Sequence, residues 1–470
     1  MLRASSASEK LGVPASSLTC EGFIRQAKST MVGLGMPNLE LALVPGHTGV
    51  QTKDELRRNI LGVTLDQVIA NLTGQIESAT ELDAEPRDGE VVFSGTLDEV
   101  IAHFYEQEWS DGLPFIPPTI GRVERFLRFT GRDRHEVIGV PLPDHRAATI
   151  WNVAVNGVMA GCRPEYMPIL VALAEAMCDP DYGVEHSGNT PGADTVIILN
   201  GPIIKQLGFN FEQGVMRDGF QANTSIGRFW RLYLRNVAGF LPHQTDKGTY
   251  GNTWRVVVPE NEDMLTKIGW DPLSADFGFA MGENALMIGR YTGGDVSSSV
   301  SGSTPETMLP YLAHTIANQA RWQLMFTVGV GHGTYRPLLF LSPILAETIA
   351  RAGWSKYDIK CYLFEHARIT ARQFEQYGRI WTNKPESNSI ANQTRLGNAP
   401  AVFAESDDPE RLVPVVCDPE DYQVVVTGDP LRTNAYSFAH NGHLGYTVGR
   451  RIELPAAWDS LLAALPPGRK

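Results

Sequence analysis

Paired cysteines are missing from this chain. Its five cysteines (Cys20, Cys162, Cys178, Cys361 and Cys417) stand far apart, with no C-x-x-C among them. An odd, scattered set excludes a disulfide framework and a structural zinc site, and it suits a reducing cytoplasm. No apolar run approaches the roughly 20 residues of a membrane helix, and the opening M-L-R-A-S-S-A-S-E-K lacks the apolar core of a secretory signal. A basic excess is missing too. The net charge of −13 argues against a nucleic-acid partner. There is no H-E-x-x-H, G-x-S-x-G or Walker sequence. The glycine cluster G-V-G-H-G, ending at Gly333, runs into T-Y-R-P rather than a helix, so no nicotinamide or nucleotide site is expected. What is present is ordinary for a globular protein: 470 residues, 43% hydrophobic and 20% charged, enough for two or three domains.

In chain order, residues 1–19 are small and polar and read as a mobile arm. Residues 20–76 form a small α/β segment: a helix from Glu21, an apolar strand Glu40–Pro45, and helical spacing over Lys53–Leu72. The polar stretch 77–96 reads as a linker. Residues 97–470 form a large α/β domain with room for two lobes. Thr96 and Glu99 have the capping-box order before a helix over Leu97–Gln107. Two helices, Arg146–Cys162 and Pro164–Cys178, are broken at Pro164, and Cys162 reads as a small core residue. Thr195–Pro202, Asn284–Arg290, Leu324–Gly333 and Tyr422–Pro430 are apolar runs ending at glycine, as parallel strands buried on both faces do. Helical spacing over Pro305–Gln319, Pro343–Ala352 and Lys356–Phe374 supplies crossovers. The fold class is α/β, a mostly parallel or mixed sheet flanked by helices.

The most informative stretch is Gly214–Gly239. Gly214 and Gly219 make a loop that lets the backbone approach a ligand, and Asn223, Thr224 and Ser225 are candidate caps of the helix beyond. Arg228, Arg231 and Arg235 then form a cationic row. The row reads either as an anion or carboxylate site, with Arg228 nearest the helix start, or as the arginines of a buried helix paired with acidic neighbours or a partner subunit. Trp109 and Asp111, beside a proline-rich extended segment, can shape a pocket rim. Ligands collect at the carboxyl ends of strands in such sheets, which brings forward His332, His186 and Glu262 as acid–base groups. Glu260 and Glu262 flank an amide and can split their pKa values. His440 and His443 can supply a metal pair. No cofactor is specified, and a metal ion is possible.

The run Cys20–His47, with Phe23, Ala27, Gly35, Met36, Pro37, Leu39, Val44 and Pro45 in order, resembles the C-terminal half of the UGSC family of thiol or selenol proteins. Over residues 97–455, E-W-S-D-G-L-P-F-I-P-P-T (Glu108–Thr119), N-G-V-M-A-G-C-R-P-E-Y-M-P (Asn156–Pro168) and L-N-G-P-I (Leu199–Ile203) resemble the larger domain that accompanies UGSC domains. That family takes its name from a selenocysteine- or cysteine-Gly-Ser-Cys tetrad, which this chain lacks. The resemblance implies sulfur or selenium redox chemistry, such as cleavage of a carbon–heteroatom bond; either the N-terminal segment is a degenerate half-domain or a partner supplies the tetrad, in a hetero- or homo-oligomer. The expectation is a cytoplasmic enzyme component acting on a small polar or anionic organic substrate. The rivals are a self-sufficient metal-dependent hydrolase or lyase, and a non-catalytic scaffold subunit.

Overall fold

Ser17–Cys20 (β1) and Leu41–Val44 (β2) are too short to satisfy their backbone N–H and C=O groups alone. They pair in parallel with each other, Ser17 opposite Leu41 and Cys20 opposite Val44. The crossover that parallel pairing demands is the Ile24–Gly33 helix, which buries Ala27 and Met31. One expectation is corrected here. Residues 2–20 form the Leu2–Lys10 helix and β1 rather than an arm. The Glu40–Pro45 strand finds its partner inside its own segment, because S-L-T-C, too polar and short to register as a strand, supplies it. A capping box of Thr52 and Glu55 then opens a rod made of Lys53–Asn59, a π turn at Ile60–Thr64, and Leu65–Thr73. This unit sits on the larger region. Arg3 meets Glu185 at 2.7 Å, and Gly33 lies so close to the Pro143 carbonyl that no side chain fits between them.

The computed structural model describes residues 2–74, 86–252, 254, 256–320, 335–381 and 384–465. Its larger region is built on a seven-stranded sheet. The strands are Asp194–Asn200 (β5), Val257–Pro259 (β6), Ala285–Ser297 (β7), Leu338–Leu341 (β8), Gln423–Val426 (β11), Ala435–His440 (β12) and Val448–Arg451 (β13). The order is β11-β8-β12-β7-β5-β6, with β13 also on β7. Two short antiparallel pairs lie outside it: Val137–Gly139 (β3) with Ala148–Thr149 (β4), and Arg368–Thr370 (β9) with Leu412–Pro414 (β10).

Successive side chains of a strand point to opposite faces, and here both faces are buried. Val196 and Ile198 of β5, Met287 of β7, Phe340 of β8, Val425 of β11 and Phe438 of β12 share one apolar layer. Ile197, Leu199, Leu286 and Ile288 instead pack with residues of the helices Ile150–Met159, Met167–Met177 and Gln221–Asn236. Leu339, Leu341, Val424 and Val426 pack with residues of Pro305–Gln319, Pro343–Arg351 and Lys356–His366. Burial on both faces explains the continuous apolar runs. Such runs do not fix direction, however: β7, which reads like a parallel strand, is antiparallel to β5 and β12. The stretch Lys356–Phe374 is also not one helix, because β9 interrupts it after His366. Leu324–Gly333 lies outside the described residues.

The sheet contains an internal repeat. β5 is parallel to β6 and antiparallel to β7, while β8 is parallel to β11 and antiparallel to β12. The third strands, β7 and β12, join the halves. Register gives the equivalences. Leu199 lies opposite Pro259 and Leu286, as Leu341 lies opposite Val426 and Ala435. The Glu260 N–H donates to Leu199 O at 3.0 Å, as the Thr427 N–H does to Leu341 O at 3.0 Å. Sheet twist brings the carboxyl ends of the outer strands β6 and β11 together, where the Asn261 N–H donates to Val426 O at 2.7 Å.

Candidate functional site

The residues brought forward from the sequence separate in space. Arg228 and Asp111 meet each other: Nε to Oδ2 at 2.9 Å and Nη2 to Oδ1 at 2.8 Å, with side chains 15% and 14% exposed. This two-point fork ties the proline-rich segment to the Gln221–Asn236 helix. Arg231 reaches Asp194 at 3.2 Å. Burial pushes the Asp194 carboxyl up, and Arg231 pulls it back. Arg235 donates to Glu108 O. Each arginine of the row thus holds a neighbour, Arg228 and Arg231 an acid and Arg235 a backbone carbonyl. The helix begins at Gln221, ahead of the expected caps. Asn223 is buried and donates to Asn210 O and Val257 O, both at 2.8 Å. Thr224 accepts the Gly219 N–H at 3.3 Å, which steadies the loop before the helix.

His186 stands half-buried beside the N-terminal unit, lining a cavity of about 570 Å³ with Arg3, Phe23 and Gln26. Its turn is fastened by Arg290, which the sequence reading missed. Fully buried, Arg290 donates to the carbonyls of Tyr182 and Gly183, both at 2.8 Å, and stacks on the Tyr182 ring. Only charge type could have pointed to it, because its partners are mostly backbone carbonyls, with the Ser187 hydroxyl at 3.0 Å, all more than 100 residues away. His440 is buried in β12, its Nδ1 accepting the Gly442 N–H at 3.2 Å. The side chain of His443 and all of His332 lie outside the described residues. Among the described residues no three His, Cys, Asp or Glu side chains are grouped to hold a metal ion. Cys162 is buried against Ser225, and burial pushes its thiol up to about 12.

Glu260 and Glu262 stand at the carboxyl ends of β5 and β6, in different roles. Glu260 is buried and accepts from Lys356, Asn200, Leu273 N–H and Val426 N–H. With four donors it holds the two sheet edges together. Glu262 accepts the Gly201 N–H at 2.7 Å and the Asn200 amide at 3.1 Å, so its carboxyl group fills the crevice beyond β5.

The equivalent crevice beyond β8 is open. It forms a cleft of about 670 Å³ lined by the Gly214 loop, Ser342, Thr427, Asp429, Arg432 and Tyr436. Ser342 is 6% exposed, and among the described residues its hydroxyl makes no hydrogen bond. It precedes the Pro343–Arg351 helix as N-cap without capping it. Arg217 and Arg432 stand exposed at the mouth, and among the described residues neither meets an acid within ion-pair distance. Sequence reasoning placed the Gly214 loop near a ligand but passed over Arg217, Ser342, Asp429 and Arg432. The available signal was that L-F-L-S-P and V-V-V-T-G-D both end apolar strands.

No helix among the described residues is long and apolar enough to cross a membrane. No curated protein and no solved structure matches this chain. Residues 1–74, which hold the β1–β2 unit and the expected arm together, match the UGSC family, a match consistent with a UGSC-type domain at the N-terminus and a larger additional region after it.

Proposed function

We propose that this chain is the substrate-binding component of a cytoplasmic enzyme that acts on a small polar or anionic organic molecule, with thiol or selenol chemistry supplied by a tetrad-bearing partner. The observation that carries the substrate class is the open cleft beyond β8, lined by two guanidinium groups that meet no acid and a buried hydroxyl that makes no hydrogen bond among the described residues. An anion there gains charge-assisted bonds in a crevice outside strand carboxyl ends, where α/β sheets bind ligands. Asp429 is the carboxylate that can exchange a proton with the bound molecule. In the partner, a selenol and a thiol, or two thiols, would close to a selenenyl sulfide or disulfide. The two electrons and two protons released would convert C–X to C–H and HX. The reducing compartment this needs fits five cysteines without a disulfide.

The test is calorimetric titration of the full-length protein with a panel of small carboxylates, phosphate and sulfate. R217A and R432A should each weaken binding of the preferred anion by about 1.5–3 kcal/mol while the melting temperature holds. Unchanged affinity in the double variant defeats the cleft as the substrate site.

A further inference from the structure

Glu262 and Asp429 are equivalent residues of the two halves. Each stands two positions beyond the residue whose N–H donates to Leu199 O or Leu341 O, respectively Glu260 and Thr427. They differ by one methylene. In the first half the longer side chain reaches across to Gly201 and Asn200 and closes its crevice. In the second half Asp429 turns back onto its own turn, accepting the Leu431 N–H at 2.8 Å. The counterparts of Asn200 and Gly201 by register are Ser342 and Pro343, and the hydroxyl of Ser342 is left without a partner.

We infer that the cleft binds the carboxylate of a small organic acid, which takes in the second half the place that the Glu262 carboxyl group fills in the first. This rests on the reading of the cleft as the substrate site. Ser342 offers the hydroxyl, and the nine-residue helix it precedes turns the positive end of its dipole to the cleft. Arg217 and Arg432 outweigh the single negative charge of Asp429, leaving the mouth cationic. Phe340 and Tyr436 form an apolar wall for a short carbon chain. Asp429 faces the same space, so a hydroxyl or amino group beside the carboxylate has an acceptor. A hydroxy or amino acid of a few carbons satisfies every group named.

The one-methylene difference supplies the experiment, made on the full-length protein with acetate, lactate and inorganic phosphate as calorimetric probes. Asp429→Glu should plug the cleft as Glu262 plugs its twin and weaken acetate and lactate at least about tenfold. Asp429→Asn keeps the short side chain without its charge and should bind acetate at least as tightly as the parent. Ser342→Ala should weaken both carboxylates, and it decides the matter if Asp429→Glu does not fold. Equal acetate binding by the parent, Asp429→Glu and Ser342→Ala, with loss in R217A/R432A, overturns the carboxylate placement and leaves the cleft reading standing. A parent protein that prefers phosphate to both carboxylates also overturns it. Insensitivity to every substitution, the arginines included, defeats both readings.

Discussion

A guanidinium that meets a carboxylate in a two-point fork is oriented by that contact, and removing one partner leaves the other charge in a site that water barely reaches. Arg228 and Asp111 are in this position, each about one-seventh exposed. R228A should therefore lower folding stability by about 3 kcal/mol with no direct effect on anion binding. R228M combined with D111L should cost less than the two single changes together, a coupling of 0.5 kcal/mol or more by denaturant titration being the expected range. If R228A keeps its stability and loses anion affinity, Arg228 faces the ligand and the fork is incidental. Cys162 poses a simpler question of reactivity. A thiol pushed up to about 12 by burial holds almost no thiolate at pH 8, and the thiolate is the nucleophile. Iodoacetamide should label Cys162 only after unfolding, as read by mass spectrometry. Labelling of the folded protein within minutes would identify an activated thiol.

At the scale of elements, strands that lead to a glycine were legible, β5 before Gly201 and β11 before Gly428, whereas β7 runs on through Gly289 to Ser297. Helices were legible as well, Leu97–Glu106 from its capping box and Pro305–Gln319 from its spacing. β8 was not, because four apolar residues bracketed by Pro337 and Pro343 look like a connection. β1 was missed because half its residues are polar. Arg228 had two readings that only a contact 117 residues away could separate. The rest of the cleft was not legible for the same reason: Ser342 and Asp429 belong to segments far from the Gly214 loop, and no local motif marks either of them. The turn ahead of β11 carries a testable consequence of its own. Asp421 accepts the N–H groups of Cys417 and Asp418. Burial outweighs these bonds and pushes its carboxyl from 3.8 up to about 6. A raised folded pKa means the group's contribution is fully present below about pH 4 and is lost as pH rises through 6. D421N mimics the protonated form, so its stability relative to the parent should grow by about 2–3 kcal/mol between pH 4 and pH 7. A difference independent of pH would show that Asp421 ionises freely.

Over the whole molecule, the repeated sheet and the UGSC-type unit divide the labour: one offers a cleft, the other a surface. On that unit Leu61, Leu65, Ile69 and Leu72 are 53%, 40%, 53% and 42% exposed. Leu65, Ile69 and Leu72 recur at four and three residues and so share one helical face. The two-stranded β1–β2 sheet beside them is narrow, and strands with open edges accept further strands. An apolar stripe next to such a sheet is what a domain presents when more of its layer comes from elsewhere. The proposed tetrad-bearing chain is the occupant this arrangement fits, because its thiol or selenol must reach a substrate held by the larger region. L65E together with I69E should abolish co-purification of that chain. Charged groups on an already exposed helix face change stability by no more than about 0.5 kcal/mol, so the variant should melt with the parent and still bind acetate in the cleft. A double variant that retains the partner moves the docking surface off this helix, and a parent protein that never binds a tetrad-bearing chain removes the two-chain enzyme altogether.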